Sequence, residues 1–451
     1  MHDGHSPQVR FDFLPEVEIR AAFDGGAVTS DAGLLLVAQL EEEVGLLRSL
    51  AAVIDDPRQL SKCRHSTLEL LTQRVMALVA GYEDCNDHTL LRRDPGLKTA
   101  TKRRALSGSD LASQPTLSRF ENSVTRRDLW RLAEAFVEHF LDRHDAPPPR
   151  EIVLDFDATV DPTHGQQDLS FYHGYYGCHC YLPLLAFASC DGGPKEPLLA
   201  VLRPGNSHAG RAVIGLLRRL VARLRARWPE VRIVFRGDSG MALPGIYDFC
   251  EGQGVEYVMG IGRNATLAQL IEPIEDQARE LHAATGEKVR HFGEFLYQAG
   301  SWERPRRVVA KAEIIPGHEP DTNRRFVVTN RTDLSAEDEY AYYVERGDAE
   351  CRIDELKNGC FCDRTSCSSL AANQFRLMLS MAAYLLLMLL RERAEAEDLR
   401  RAQAGTLRLR LIKLGARVTE TTRSVKLSLA GNYPRARDWI RLAGTLGAVI
   451  G

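Results

Sequence analysis

Three stretches of the 451-residue chain carry acids where a strand end or a helix face could bring them to one point. In "EIVLDFDATV", residues 151–160, Ile152, Leu154, Phe156 and Ala158 alternate with Val153, Asp155, Asp157 and Thr159, the period of a strand. Two acids on one face of a core strand are costly to bury unless they are paired or ligate a metal. Asp238 directly follows "VRIVFR", in "RGDSG"; taken alone, such an Asp more often bonds its own turn backbone. The third stretch is "YVERGDAECRIDELK", Tyr343 to Lys357. At about 100° per residue, one helix would place Tyr343, Arg346, Glu350 and Lys357 on a narrow stripe. Asp354 falls near the same stripe and competes with Glu350, while Glu345, Asp348 and Glu355 point away toward solvent. Ligands of open α/β sheets bind beyond the carboxyl ends of the strands, where both Asp157 and Asp238 would sit. Several hard oxygen donors are what a pair of divalent cations about 4 Å apart requires for in-line phosphoryl transfer. Arginine and lysine beside them could contact phosphates, and tyrosine a sugar or phosphate. An exposed helix with pairs such as Arg346 and Glu350 also explains the charges, but not why four functional types share one face.

These residues need a scaffold, and the pattern along the chain supplies one. The first 145 residues read as mostly helical, with apolar residues three and four apart in "STLELLTQRVMALVAGY" and "RDLWRLAEAFVEHFL". The prolines of "HDAPPPR" end that pattern and set a boundary near 146–150. The strand with the two aspartates follows, then "YYGCHCYLPLLAFAS" and "EPLLAVLRPG" as strands and an Arg-rich helix from about Gly210 to Arg227. "VRIVFR", a helix near "LPGIYDFCEG" and "EYVMGI" complete a mixed sheet flanked by helices. The interval 263–334 reads as a β-rich insertion, with strands in "KVRHFGEFLYQAG", "RPRRVVAKAEII" and "RRFVVTNR". "SAEDEYAYYVERGDAECRIDELK" reads as one helix. It leads into "LMLSMAAYLLLMLL", which at 14 residues is short of the roughly 20 that span a bilayer and reads as a buried core helix. The expected division is 1–145, 151–262, 263–334, 335–392 and a basic 393–451.

Composition narrows the classes. A formal charge of -3 excludes a uniformly basic coat, so nucleic-acid contact must use local patches. Candidates are residues 203–236, with nine arginines against one acid, Glu230, and the run from Arg400 to Arg417. Ten scattered cysteines suit a reducing cytoplasm better than a disulfide framework. "CFC" with Cys367 has neither a CxxC pair nor a nearby His, which argues against structural zinc. The N-terminus has no apolar core of a signal peptide, so a cytoplasmic protein without a membrane partner is expected.

Tyr343, Arg346, Glu350 and Lys357 fit Y-x2-R-x3-E-x6-K, and this spacing resembles the signature of a large branch of bacterial insertion-sequence DDE transposases. "LDFDATV" is similar to that branch's first-aspartate strand and selects Asp157 over Asp155; "FRGDSG" is similar to its second-aspartate motif and selects Asp238. "DATVDPTHGQQ", "GYEDCNDHTLLRRDP" and "LASQPTLSRFEN" resemble DDE transposase group 1, so the likeness runs over nearly the whole chain. In one departure, Ser239 and Gly240 follow the second aspartate where several relatives have Arg or a similar residue. The resemblance implies an α/β, RNase H-like core with a β-rich insertion and a helical N-terminal DNA-binding region. It implies Asp157, Asp238 and Glu350 as catalytic ligands of two Mg2+ ions, with Mn2+ as a substitute, and Tyr343, Arg346 and Lys357 on the DNA. The expected reaction cuts the terminal inverted repeats of an element, in this branch commonly through a hairpin, and joins 3'-OH ends to target DNA. The expected setting is a homodimer on DNA at the bacterial nucleoid. For end recognition, "SQPTLSRFEN" is the candidate helix, with Pro115 in its first turn and Thr116, Ser118, Arg119 and Asn122 toward DNA, helped by basic residues around Lys98 to Arg104. A structure-selective nuclease of the same fold is one alternative. A non-catalytic DNA-binding derivative is another, and it would be expected to have lost an acid.

Overall fold

The structure, a computed structural model, describes residues 7–208, 210, 212–317 and 322–450. The chain forms two compact units: Met1–Leu132 with Glu355–Arg364 and Phe375–Gly451, and Ala133–Asp354 with Thr365–Gln374.

In the second unit, the alternating stretch becomes the strand Glu151–Ala158, which lies inside an eight-stranded sheet. The spatial order is Val289–Tyr297, Arg306–Ile314, Thr322–Thr329, Glu256–Ile261, Arg232–Gly237, Glu151–Ala158, Leu184–Cys190 and Glu196–Val201. Glu151–Ala158, Arg232–Gly237 and Glu256–Ile261 run parallel, and every other pairing is antiparallel. Parallel strands need both faces covered. Ile152, Leu154, Phe156, Ile233 and Phe235 pack in one core with Leu217, Leu220 and Ile246 from the helices Val213–Arg227 and Pro244–Gly252. On the opposite face Val153, Val234, Val258 and Val327 carry Tyr340, Tyr342 and Tyr343. The three strands expected between 263 and 334 are present, and they extend this same sheet by pairing Thr322–Thr329 onto Glu256–Ile261.

Two readings need correction. "YYGCHCYLPLLAFAS" is not one strand: Cys178–Tyr181 belongs to a separate three-stranded sheet with Asp161–Pro162 and Phe171–His173, and Leu184–Cys190 to the large one. Pro183, which has no N–H to donate, stands between them. The helix expected from 335 onward is also interrupted, giving Ala336–Val344, then Gly347–Asp354, then a π-helical turn Glu355–Gly359. Glycine at 347 weakens helix continuation. The carbonyl oxygens that a continuous helix would use are already engaged: Arg236 Nη1 donates to Tyr342 O at 2.8 Å and Lys195 Nζ to Glu345 O at 2.6 Å. The Arg346 N–H turns instead to Tyr343 O, three residues back.

The first unit is mainly helical. Its helix Thr67–Ala80 begins at a Ser66–Glu69 capping box and stops at Gly81, whose φ of 94° suits glycine. The apolar run Leu377 to Leu390 is buried throughout, within the helix Leu370–Glu392. All ten cysteines are free. Glu355, expected to be solvated, is 6% exposed; Arg391 Nη1 lies 3.2 Å from its Oε2, which also accepts from Ala404 N at 3.0 Å. Removing one partner of a buried ion pair strands the other charge. Arg391→Leu is therefore expected to lower the unfolding free energy by about 3–5 kcal/mol, read by thermal and denaturant unfolding, whereas a change under about 1 kcal/mol would show the pair to be inessential.

Candidate active site

The register aligns Phe156 with Gly237 on neighbouring parallel strands, so Asp157 and Asp238 leave the sheet side by side at its carboxyl end. Asp157 is 7% exposed. Its Oδ1 accepts from Ala158 N at 2.9 Å and its Oδ2 from Arg346 Nη1 at 2.9 Å. Burial pushes its carboxyl up to about 6; Arg346 opposes this, and the charges of Asp238 and Glu350 add to it. Asp238 serves its turn as well, because its Oδ1 accepts from Gly240 N at 3.0 Å and caps the short helix Ser239–Met241. The turn reading is thus borne out for this residue.

Arg346 lies in the turn just before the second helical piece, and Glu350 in that piece's first turn. Arg346 Nη2 donates to Glu350 Oε1 at 2.5 Å, so one guanidinium bridges Asp157 and Glu350. Burial works against its charge, but Asp157, Tyr343 and Glu350 hold it firmly protonated. Tyr343 lies across the valine face, with its hydroxyl where a Cβ on Gly260 would come within 2.5 Å. Only glycine at 260 leaves the phenol that room. Burial, and then the charges of Asp238 and Asp157 against that of Arg346, raise the Tyr343 pKa.

Asp155, two residues before Asp157 on the same face, has a different task. It is 1% exposed, and its two oxygens accept from Arg236 Nε and Nη2 at 2.8 and 2.9 Å, with Lys195 Nζ at 3.0 Å. The same two cations hold the carbonyls of Tyr342 and Glu345, and Arg236 also meets Glu345 Oε2 at 3.0 Å. The buried acid thus fixes, through Arg236 and Lys195, the bend from which Arg346 and Glu350 project.

The sequence-expected residues fall out as follows. Asp157, Asp238, Tyr343, Arg346 and Glu350 assemble in one unit. The single-helix projection that grouped Tyr343, Arg346, Glu350 and Lys357 does not hold, because the helix breaks between Ala336–Val344 and Gly347–Asp354 and then runs into a π-helical turn that carries Lys357. Glu350 is the helix acid that Arg346 joins to Asp157; Asp354 is exposed at the end of the same piece. Lys357 lies in the π-helical turn, in the other unit. Glu345 and Asp348, read as solvated, do keep their side chains 65% and 43% exposed, while also pairing with Arg236 and Arg352. Thr116, Ser118 and Arg119 lie in the helix Gln114–Ser123 of the first unit, with Pro115 in its first turn as expected. Leu117 and Phe120 seat its inner face, and Arg119 is exposed. The sequence reading missed Lys195, Arg236 and Gly260. A signal existed for Arg236, an arginine on the same strand face as Val234 in "VRIVFRG", where a buried partner was required.

Carboxylate oxygens are hard donors suited to a divalent cation, and burial is the main cause of the upward push on Asp157, with smaller contributions from the charges of Asp238 and Glu350. As arranged, no three His, Cys, Asp or Glu side chains among the described residues are grouped so as to hold a metal ion. The space between Asp157 and Glu350 is spanned by the Arg346 guanidinium.

A family model described as transposase DDE domain group 1 matches residues 11–447. No curated protein matches. Among solved structures, the chain is similar to a piggyBac transposase synaptic complex with hairpin DNA, at 12% identity and TM-score 0.42, covering 90% of this chain and 82% of that one. It is also similar to a Mos1 mariner paired-end complex with Mn, at 15% identity and TM-score 0.17, covering 42% of this chain and 59% of that one.

The two neighbouring aspartates are expected to answer mutation with opposite signs. Asp155→Ala strands buried Arg236 and Lys195 and should cost about 3–5 kcal/mol of stability. Asp157 holds its proton more tightly folded than unfolded, so it favours folding below its ordinary value of 3.8 and opposes folding as pH rises past about 6. In chelator-treated protein, Asp157→Asn should therefore stabilise at pH 8 by roughly 1–3 kcal/mol, and the gain should vanish toward pH 4. Thermal unfolding across pH reads both, and equal losses for the two variants would contradict the division of roles.

Proposed function

Because the chain belongs to the transposase DDE domain group 1 family, we propose that it is the transposase of an insertion sequence. In this reading it binds the terminal inverted repeats of its element, cuts there by metal-dependent phosphoryl transfer, and joins the freed 3'-OH ends to target DNA. The observation that carries the reading is the convergence of Asp157 and Asp238, at the ends of adjacent parallel strands, with Glu350, Arg346 and Tyr343.

Asp157, Asp238 and Glu350 would hold Mg2+, two ions in the full site with Mn2+ as a substitute. The metal supplies activation of the attacking hydroxyl and charge stabilisation of the leaving oxygen. The protein's own groups do the rest. Arg346 presents two N–H donors that now rest on carboxylates and can pass to the oxygens of an entering phosphodiester. Its exchange of partners would free Asp157 and Glu350 at the moment the substrate arrives. Tyr343, fixed over Gly260, offers its hydroxyl to the same backbone, and Lys357 is assigned a further phosphate contact. Burial of Asp157 and Arg346 keeps water from screening these charges.

For the element ends, Arg119 and Ser118 on the outer side of Gln114–Ser123 are the stronger contacts. The Thr116 hydroxyl is already engaged by Ser113 and Arg119, and the Asn122 amide donates to Ser118 O. The expected assembly is a homodimer bridging two ends at the nucleoid.

Glu350→Ala is expected to reduce Mg2+-dependent cleavage of DNA carrying the repeats that flank the reading frame to background, with an unchanged melting temperature. Asp354→Ala should cut normally. Full cutting by the Glu350 variant together with loss in the Asp354 variant would reassign the third acid. Pre-cut ends offered with target DNA should be joined by the wild type, and cutting without joining would reduce the protein to a nuclease of this fold.

A further inference from the structure

The strand that carries Asp157 ends one residue later, and the chain enters the small sheet formed by Asp161–Pro162, Phe171–His173 and Cys178–Tyr181. Its hairpin reads "FYHGYYGCHC", residues 171–180, without a single Asp, Glu, Lys or Arg. Four of its rings face solvent: Phe171 is 39% exposed, Tyr172 60%, Tyr175 86% and Tyr176 41%. They are organised rather than scattered. Tyr175 and Tyr176 meet edge to face at 5.0 Å, Tyr172 and His179 at 5.6 Å, and His173 lies 4.9 Å from Tyr176.

The base of this hairpin is fastened. Asp161 is fully buried and its Oδ2 accepts from Thr365 Oγ1 at 2.8 Å; Tyr181 Oη donates to Asp168 O at 2.6 Å. Gly205 packs so closely that a Cβ there would come within 2.1 Å of Cys180 O and 2.7 Å of Phe171 O. A held frame with bare rings has little entropy left to lose on binding. One of the rings, Tyr176, lies near the acids: burial first, then Tyr175 and the charges of Asp157 and Asp238, raise its pKa.

A ligand that offers planar apolar faces to these rings and a phosphodiester to the Arg346 guanidinium among the neighbouring acids is a nucleic-acid strand. Its bases must be out of the duplex, because paired and stacked bases present only their edges. We propose that the 171–179 hairpin is a stacking platform for unpaired bases of the DNA strand next to the phosphodiester at Asp157 and Asp238. The proposal rests on the DNA-cutting reading of that site.

The test is fluorescence anisotropy of full-length protein, in chelator, with a labelled oligothymidine and separately with a duplex. Wild type should bind the oligothymidine. Tyr172→Ala combined with Tyr175→Ala should weaken that binding roughly tenfold or more, while the double Phe variant stays within about twofold. Neither double variant should change duplex affinity or melting temperature, since both side chains are exposed. No oligothymidine binding by wild type, equal binding by the Ala variant, or an equal loss in the Phe variant would overturn the platform. Cleavage of element ends, scored in parallel, separates the two readings: ring-dependent binding without cutting tells against the transposase reading, and cutting with ring-independent binding tells against the platform alone.

Discussion

Burial of one carboxylate, Asp155, is the constraint on which the site depends. An acid that is 1% exposed must have its charge answered locally, and Arg236 and Lys195 answer it. Both cations have donors to spare, and these reach the backbone of Tyr342 and Glu345. The bend between the two helical pieces is therefore set by the charge balance of the central strand. Arg346 and Glu350 follow from that bend, so an internal ion cluster sets the aim of groups at the surface.

Asp157, on the same strand face, is in the opposite condition. It sits at the strand's end, where burial above all raises its proton affinity, Arg346 opposes the rise, and Asp238 and Glu350 add to it. A carboxylate held at such a cost is characteristic of sites tuned for chemistry rather than stability. The strand thus carries two acids in different conditions two residues apart: one paired with two cations inside the sheet, and one at its rim whose burial raises its proton affinity.

The arginine-rich runs look different once partners are visible. In the 203–236 run, Arg223 pairs with Glu134 and Glu138, Arg227 with Asp142 and Asp145, and Arg232 with Glu256 and Asp333. Arg408, in the C-terminal run, is buried and donates to Leu78 O and Val79 O. Around Lys98 to Arg104, Lys102 meets Glu42, Arg103 meets Glu69, and Arg104 meets Glu420. Much of this basic charge fastens helices and strands to one another.

By itself the sequence determined the strands around Asp157 and Asp238, the flanking helices and the buried run 377–390, because period-two and period-3.6 patterns are local and survive whatever the rest of the chain does. The five residues that converge were also named from it, by spacing and resemblance. Only the tertiary structure decided how they converge. Where the helix is interrupted depends on Lys195, which reaches a carbonyl 150 residues away. Burial of Glu355 depends on Arg391 and on Ala404 N, and the exposure of the 171–179 rings depends on which sheet their strands join. No local pattern encodes such partners, since a buried charge takes its meaning from whichever group folding places opposite it.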